Sequence, residues 1–200
     1  DRGVHVALGH SDATYEEALA CVNAGADIFV HTYNGMSGLH HREPGMVGAA
    51  MTTHGTYAEA ICDGHHLNPI AVRALVNAKG YDHTVLITDC MRAGGMPNGQ
   101  YKLGDFPVVV EGGTARLMDE SHSLAGSILR LFEGVKNVFD WGIVSAEEAV
   151  RMASENPARS CGIDDVCGFI RPGYDADFIV ITKDLQLEET FLGGKSVYKA

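Results

Sequence analysis

Residues 4–30 read VHVALGHSDATYEEALACVNAGADIFV. Val4–Gly9 is apolar enough for a strand buried in a sheet, and a histidine, His10, follows it directly. Thr14 and Glu17 stand three apart, the spacing of a capping box, so a helix is expected over 14–24 with Gly25 closing it. Ala26–Val30 is apolar again. Strand, loop, helix, turn and second strand make one βα unit and the start of the next, which implies a parallel sheet with helices packed on it.

The same alternation continues downstream. Tyr57–Cys62 is a third expected strand, Asn68 and Pro69 look like N-cap and N1 of a helix running to Lys79 and closing at Gly80, and Thr84–Thr88 is a fourth strand. Tyr101–Leu117 changes character to short β-prone pieces broken by Gly104, Pro107 and Gly112–Gly113, so a hairpin inserted at about 100–118 is expected. Helices are expected over Ser127–Asp140 and Ser145–Ser154, the second opened by a Ser145/Glu148 capping box, with a short helical turn at Asn156–Cys161. From Ala176 onward Phe178–Ile181, Glu189–Leu192 and Ser196–Tyr198 read as strands, the last two joined by Gly193–Gly194. No repeat or low-complexity tract interrupts this order.

Composition narrows the function. Two hundred residues with 46% hydrophobic content suffice for a compact core. A net charge of -11 repels phosphate backbones and anionic lipid, which disfavours nucleic acid and membrane partners and favours a small-molecule substrate. Five cysteines without a C-x-x-C pair read as free thiols of a reducing cytoplasm. Nothing approaches a membrane-spanning run, and Asp1–His5 lacks a signal-peptide pattern. Val4–Leu8 has nothing before it to pair with, so the chain is expected to be cut from something longer.

The polar residues that follow the four expected strands are His10, His31, Asp63 with His66 just beyond, and Asp89. In a (β/α)8 barrel the C-terminal ends of the strands carry the active site, so imidazole and carboxylate groups there converge on one cavity. A lone strand-end histidine is usually structural. Two on successive strands, joined by a later aspartate, make a divalent-metal site an equal reading.

The motifs Gly9-His10-Ser11-Asp12-Ala13-Thr14, His31-Thr32-Tyr33-Asn34-Gly35-Met36, Arg42-Glu43-Pro44-Gly45, Cys62-Asp63-Gly64-His65-His66, Thr88-Asp89 and Leu124-Ala125-Gly126-Ser127 follow one another at intervals that closely resemble the N-acetylglucosamine-6-phosphate deacetylases. Asn156-Pro157-Ala158 and Gly173-Tyr174-Asp175-Ala176-Asp177 resemble the tail of amidohydrolases in general. The resemblance implies an α/β fold: the C-terminal strands of a partial (β/α)8 TIM-like barrel over residues 1–172, and strands of a small β-sandwich domain over 173–200. It implies a cytoplasmic homodimer that deacetylates N-acetyl-D-glucosamine 6-phosphate in amino-sugar catabolism.

By the same resemblance His10 and His31 are metal ligands, and Asp89 takes a proton from the attacking water and returns it to the leaving amine. His66 would donate to the acetyl carbonyl as charge develops on its oxygen. Asn34 and Gly35 lie near the phosphate; Asp63, Gly64, His65 and His66, with Leu124, Ala125 and Gly126, surround the sugar. Arg42 reaches the neighbouring subunit's site, where a guanidinium fork suits a phosphate. The metal is expected to be zinc or iron, with cobalt or manganese as further options. The family's H-x-H motif and its third ligand, a glutamate from an earlier strand, have no counterpart in these 200 residues, so this chain by itself is expected to bind metal weakly or not at all and to be inactive alone.

His40, His41 and His65 are not assigned to a second metal site, and His122 is a candidate for the pocket wall. Cys90 reads as a packed thiol rather than a nucleophile, because no base stands beside it in sequence. The alternatives are an amidohydrolase acting on a cyclic amide or N-acyl amino acid, and a sugar-phosphate-binding fragment without chemistry.

Overall fold

The computed structural model describes residues 3–200; residues 1 and 2, the start of the segment expected to be barrel, lie outside it. In chain order the elements are β1 (Ala7–Leu8), α1 (Tyr15–Asn23), β2 (Ile28–Phe29), α2 (Gly45–Thr52), β3 (Tyr57–Ile61), α3 (Pro69–Lys79), β4 (Thr84–Ile87), β5 (Gly99–Leu103), β6 (Phe106–Glu111), β7 (Thr114–Leu117), α4 (Leu131–Asp140), α5 (Ala146–Ala153), α6 (Glu155–Ser160), β8 (Phe178–Ile181), β9 (Leu187–Leu192) and β10 (Lys195–Lys199). β1, β2, β3 and β4 form one sheet in that order, with every neighbouring pair parallel.

The local signals hold where a cap or a turn residue carries them. Thr14 and Glu17 form a reciprocal capping box at α1, Ser145 and Glu148 form another at α5, and Asn68 caps α3 with Pro69 in its first turn. Each such cap satisfies backbone N–H groups that a helix start otherwise leaves without partners. Asn156 is buried and donates to the carbonyls of Tyr81 and Thr84, which ties α6 to the start of β4.

Alternation along β3 and β4 separates two faces. Ala58, Ala60 and Leu86 face the helices and share a core with Val47, Met51, Leu75, Val138 and Met152. Glu59, Ile61 and their cross-strand partners Val85 and Ile87 take the opposite face. A second, smaller core joins Val108, Val110 and Ala115 of β6 and β7 to Met91, Ala93 and Ala125.

Four expectations are corrected. Val4 and Val6 are exposed, and the first strand shrinks to Ala7–Leu8, because β1 is paired on one side only. The helix expected from Ser127 starts at Leu131; Ser127 is held extended by a parallel bridge to Cys90 and by a hydrogen bond from its hydroxyl to the Thr88 carbonyl. The inserted hairpin is a three-stranded antiparallel meander, β5-β6-β7. Helix α2 falls where no helix is expected: GMVGAAMT is apolar on all sides and holds two glycines, so it offers no amphipathic period, and seven of its eight residues are buried. Strands β8, β9 and β10 form a separate antiparallel sheet in which Phe178 stacks on Phe191.

Candidate active site

One offset governs the site. His10, His31, Asp63 and Asp89 each stand two residues beyond the last residue of β1, β2, β3 and β4. At three of them the backbone is left-handed, with φ of 45° at His10, 28° at His31 and 48° at Asp89. Such a conformation costs a non-glycine residue about 1–2 kcal/mol, and it is tolerated where the surroundings fix it.

The surroundings are hydrogen bonds between successive loops. Ser11 N–H donates to the Gly35 carbonyl and Ser11 bridges Met36, so the loops after β1 and β2 carry His10 and His31 to one place. Their rings meet edge to face with centroids 4.6 Å apart. Gly35 allows the approach: with φ of 60°, it would carry a Cβ only 2.9 Å from His10 Nδ1. After β4, Ser127 N–H donates to the Asp89 carbonyl at 2.8 Å and Met91 N–H to that of Ser127 at 2.9 Å. Gly126 lies against this join, where a Cβ would stand 2.8 Å from the Asp89 oxygen.

His10, His31, His66 and Asp89 line one cavity of about 550 Å³. Asn34, Gly35, Leu124, Ala125 and Gly126 line it too, as does Cys90. Met91, with Leu103, Phe106 and Leu117 of the meander, adds an apolar part to the lining. Those meander residues escape the sequence reading. On register, Leu103, Phe106, Val108 and Leu117 share a face, so the meander's apolar face continues past its own core into the cavity.

Asp63 sits behind His66 rather than in the cavity. Its Oδ2 lies 2.7 Å from His66 Nδ1, and its Oδ1 accepts the N–H groups of His65 and His66 at 2.8 Å. Burial alone would raise the Asp63 carboxyl, but the His66 ring and these N–H groups outweigh it and hold the group below its usual value. An ionised Asp63 accepts a hydrogen bond from the His66 Nδ1–H, so His66 has a proton at Nε2 to offer the cavity only when both nitrogens are protonated. Asp63 and His65 line a second cavity with Arg130, Glu133 and Asn137. Gly64 lies near Trp141.

Arg42 is exposed on the 40–44 loop, outside the cavity, with Nη1 2.7 Å from His41 Nε2. His40 accepts the Arg42 N–H and stacks at a tilt on His41. His122 does not line the cavity; its carbonyl accepts from Arg116.

His31 Nδ1 is buried without a hydrogen-bond partner. An orphaned imidazole nitrogen beside a second imidazole, in a cavity that also holds a carboxylate, fits a pair of nitrogen donors to a divalent metal. No cluster of three or more His, Cys, Asp or Glu suited to a metal ion occurs among the described residues. Glu59 also escapes the sequence reading: it is partly buried, accepts the His31 N–H at 3.3 Å, and burial pushes its carboxyl up.

The model of the amidohydrolase family matches residues 1–197. N-acetylglucosamine-6-phosphate deacetylase of Vibrio furnissii is 46% identical over 99% of this chain and 49% of its own length. N-acetylgalactosamine-6-phosphate deacetylase of Escherichia coli O157:H7 is 43% identical over 97% of this chain and 51% of its own. The crystal structure of N-acetylglucosamine-6-phosphate deacetylase from Thermotoga maritima superposes with a TM-score of 0.92 at 35% identity, covering 100% of this chain and 54% of that one. A Mycobacterium smegmatis mutant of the same enzyme, in complex with N-acetyl-D-glucosamine-6-phosphate, superposes with a TM-score of 0.89 at 32% identity, covering 98% and 51%. The chain thus spans about half the length of these relatives. With a family match along nearly its whole length, the chain belongs to the amidohydrolase family, as a homologue of the N-acetylglucosamine-6-phosphate deacetylases.

Proposed function

We propose that the protein hydrolyses N-acetyl-D-glucosamine 6-phosphate to D-glucosamine 6-phosphate and acetate. The observation that carries this reading is the convergence of His10, His31, His66 and Asp89 on one cavity from successive strand ends. Amidohydrolases are typically metal-dependent, and His10 and His31 would hold a divalent ion here, zinc or iron before cobalt or manganese. When bound, such an ion polarises the amide carbonyl and lowers the pKa of water towards about 7.

Asp89 takes a proton from the attacking water as the carbon–oxygen bond forms, then delivers it to the amine nitrogen as the carbon–nitrogen bond breaks. His66, oriented by Asp63, donates its Nε2 proton to the carbonyl oxygen as that oxygen gains charge. Asn34 and Gly35 stand at the phosphate end, and Leu124, Ala125 and Gly126 flank the sugar. Asp63, Gly64 and His65 serve that site through His66. Arg42, exposed outside its own cavity, would meet the phosphate in the partner subunit of a homodimer.

We also assign residues 1–172 to a partial (β/α)8 barrel, which the unbroken parallel order β1-β2-β3-β4 with helices on one face supports, and 173–200 to a small β-sandwich domain. Among the described residues no helix is long and apolar enough to cross a membrane. A cytoplasmic location is part of the same proposal, supported by five cysteines that are all free thiols. A second reading, the galacto epimer as substrate, is favoured by the relative from E. coli O157:H7.

Acetate release by the protein with Zn²⁺ or Fe²⁺ tests both. The proposal expects turnover of N-acetylglucosamine 6-phosphate, weaker turnover of its C4 epimer, none of the unphosphorylated sugar, and loss of activity in Asp89→Asn. Preference for the galacto epimer would transfer the assignment to the second reading, and phosphate-independent hydrolysis of other amides would overturn both.

A further inference from the structure

Glu59 is the one charged residue on the cavity-side face of β3 and β4, where its neighbours are Ile61, Val85 and Ile87. A carboxylate drawn into a sheet interior normally finds a cation. Glu59 has no ion-pair partner among the described residues. What it holds instead is the turn after β2: its Oε2 accepts the His31 N–H at 3.3 Å, and its main-chain carbonyl accepts the Thr32 N–H at 2.8 Å. These are the two N–H groups that flank the left-handed His31, whose φ is 28° and whose Nδ1 has no partner.

The carboxylate lacks a cation and the imidazole beside it lacks a partner. We propose that Glu59 is a positioning residue for the metal, its side chain fixing the turn that aims His31 and its negative charge standing beside the nitrogen donors as counter-charge to a divalent cation. The inference rests on the reading of His10 and His31 as ligands, and it adds a residue that touches neither substrate nor metal. Glu59 holds the main chain of His31 rather than its ring; loss of the partners that orient a ligating histidine typically weakens metal affinity by about 10–100-fold.

The test uses the full-length metal-free protein with Glu59→Ala, Glu59→Gln and His31→Ala. Zn²⁺ affinity is read by competition with a chelating indicator, site geometry by the visible absorption of the Co²⁺ form, and folding by the melting temperature without metal. Glu59→Ala is expected to weaken Zn²⁺ binding by about 10–100-fold and to alter the Co²⁺ spectrum, with the metal-free melting temperature little changed. Glu59→Gln keeps an acceptor for the His31 N–H but loses the charge, so it should recover the spectrum and only part of the affinity. Should Glu59→Ala fold poorly, Glu59→Gln still decides the counter-charge, which wild-type Zn²⁺ affinity in that variant would overturn.

Wild-type affinity and spectrum in both Glu59 variants, with His31→Ala crippled, would overturn the role of Glu59 and leave the ligands standing. Wild-type affinity in His31→Ala as well would overturn the ligand reading and this inference with it.

Discussion

The ends of the parallel strands and the turns of the β5-β6-β7 meander both need left-handed backbone, and they fill it differently. At the strand ends the positions fall to His10, His31 and Asp89; in the meander they fall to Gly104, Gly112 and Gly113. Glycine adopts such φ values without steric cost, so the meander turns as cheaply as a chain can. The strand ends keep side chains at a cost of about 1–2 kcal/mol per residue. Where a turn only reverses the chain, glycine suffices; where it must also present an imidazole or a carboxylate, the strain is retained.

The sharpest way to break this contrast is at Asp89. Asp89→Gly and Asp89→Asn should each lower kcat by about 10²–10⁴-fold, the span of a lost general acid–base group. Yet Asp89→Gly should change unfolding free energy by less than about 1 kcal/mol, because released strain offsets the added entropy of the unfolded chain. Denaturant titration beside initial rates checks both, and a large loss of stability would show that Asp89 is held by its fold rather than strained by it.

Asp63 stands at the β3 strand end without a left-handed φ, so it should behave as a structural partner. Asp63→Asn is expected to cost about 1–3 kcal/mol near neutral pH by weakening the buried pair with His66. Because folding lowers the Asp63 pKa, its stabilisation is complete above the unfolded value near about 3.9 and is lost as pH falls through the folded value. Melting curves of wild type and variant should therefore converge in acid, and a constant gap down to low pH would refute the linkage.

In the meander the expectation is inverted. Gly112 has φ of 57° and open space where a Cβ would stand, with no atom within 4 Å. A side chain there should pay only for conformation, so Gly112→Ala loses about 1–2 kcal/mol and leaves kcat and KM untouched. A change in kcat would mean that the meander does more than wall the cavity. Smallest of all, Ser145→Ala should lose about 1 kcal/mol by removing the α5 cap, with no kinetic effect, and it calibrates how much stability loss the site tolerates.

Much of this is legible in the residues, and for local reasons. Capping boxes at α1 and α5, the Asn68-Pro69 start of α3 and the Gly193–Gly194 turn are short-range chemistry, written in neighbouring side chains. His10, His31, His66 and Asp89 are legible as candidates because polar groups at apolar strand ends stand out. Helix α2 is illegible because its burial on all sides erases periodicity. Ser127 misleads because its helix-like sequence is overridden by a bridge to Cys90 made across 37 positions of chain. The apolar cavity wall and Glu59 depend on register between strands, which alternation within one strand cannot supply.

The common offset from strand to functional residue carries a last consequence for insertions and deletions. Each donor is aimed by the number of residues between it and the strand, and after β1 that residue is Gly9, where a Cβ would stand 2.0 Å from Val30 Cγ2. Side chains alternate faces at every step, so one residue added to or removed from β1, β2 or β4 would turn a donor from the cavity towards the helices while leaving every motif intact in sequence. The site is therefore less tolerant of a change in strand length than of most substitutions along the strands, Glu59 excepted.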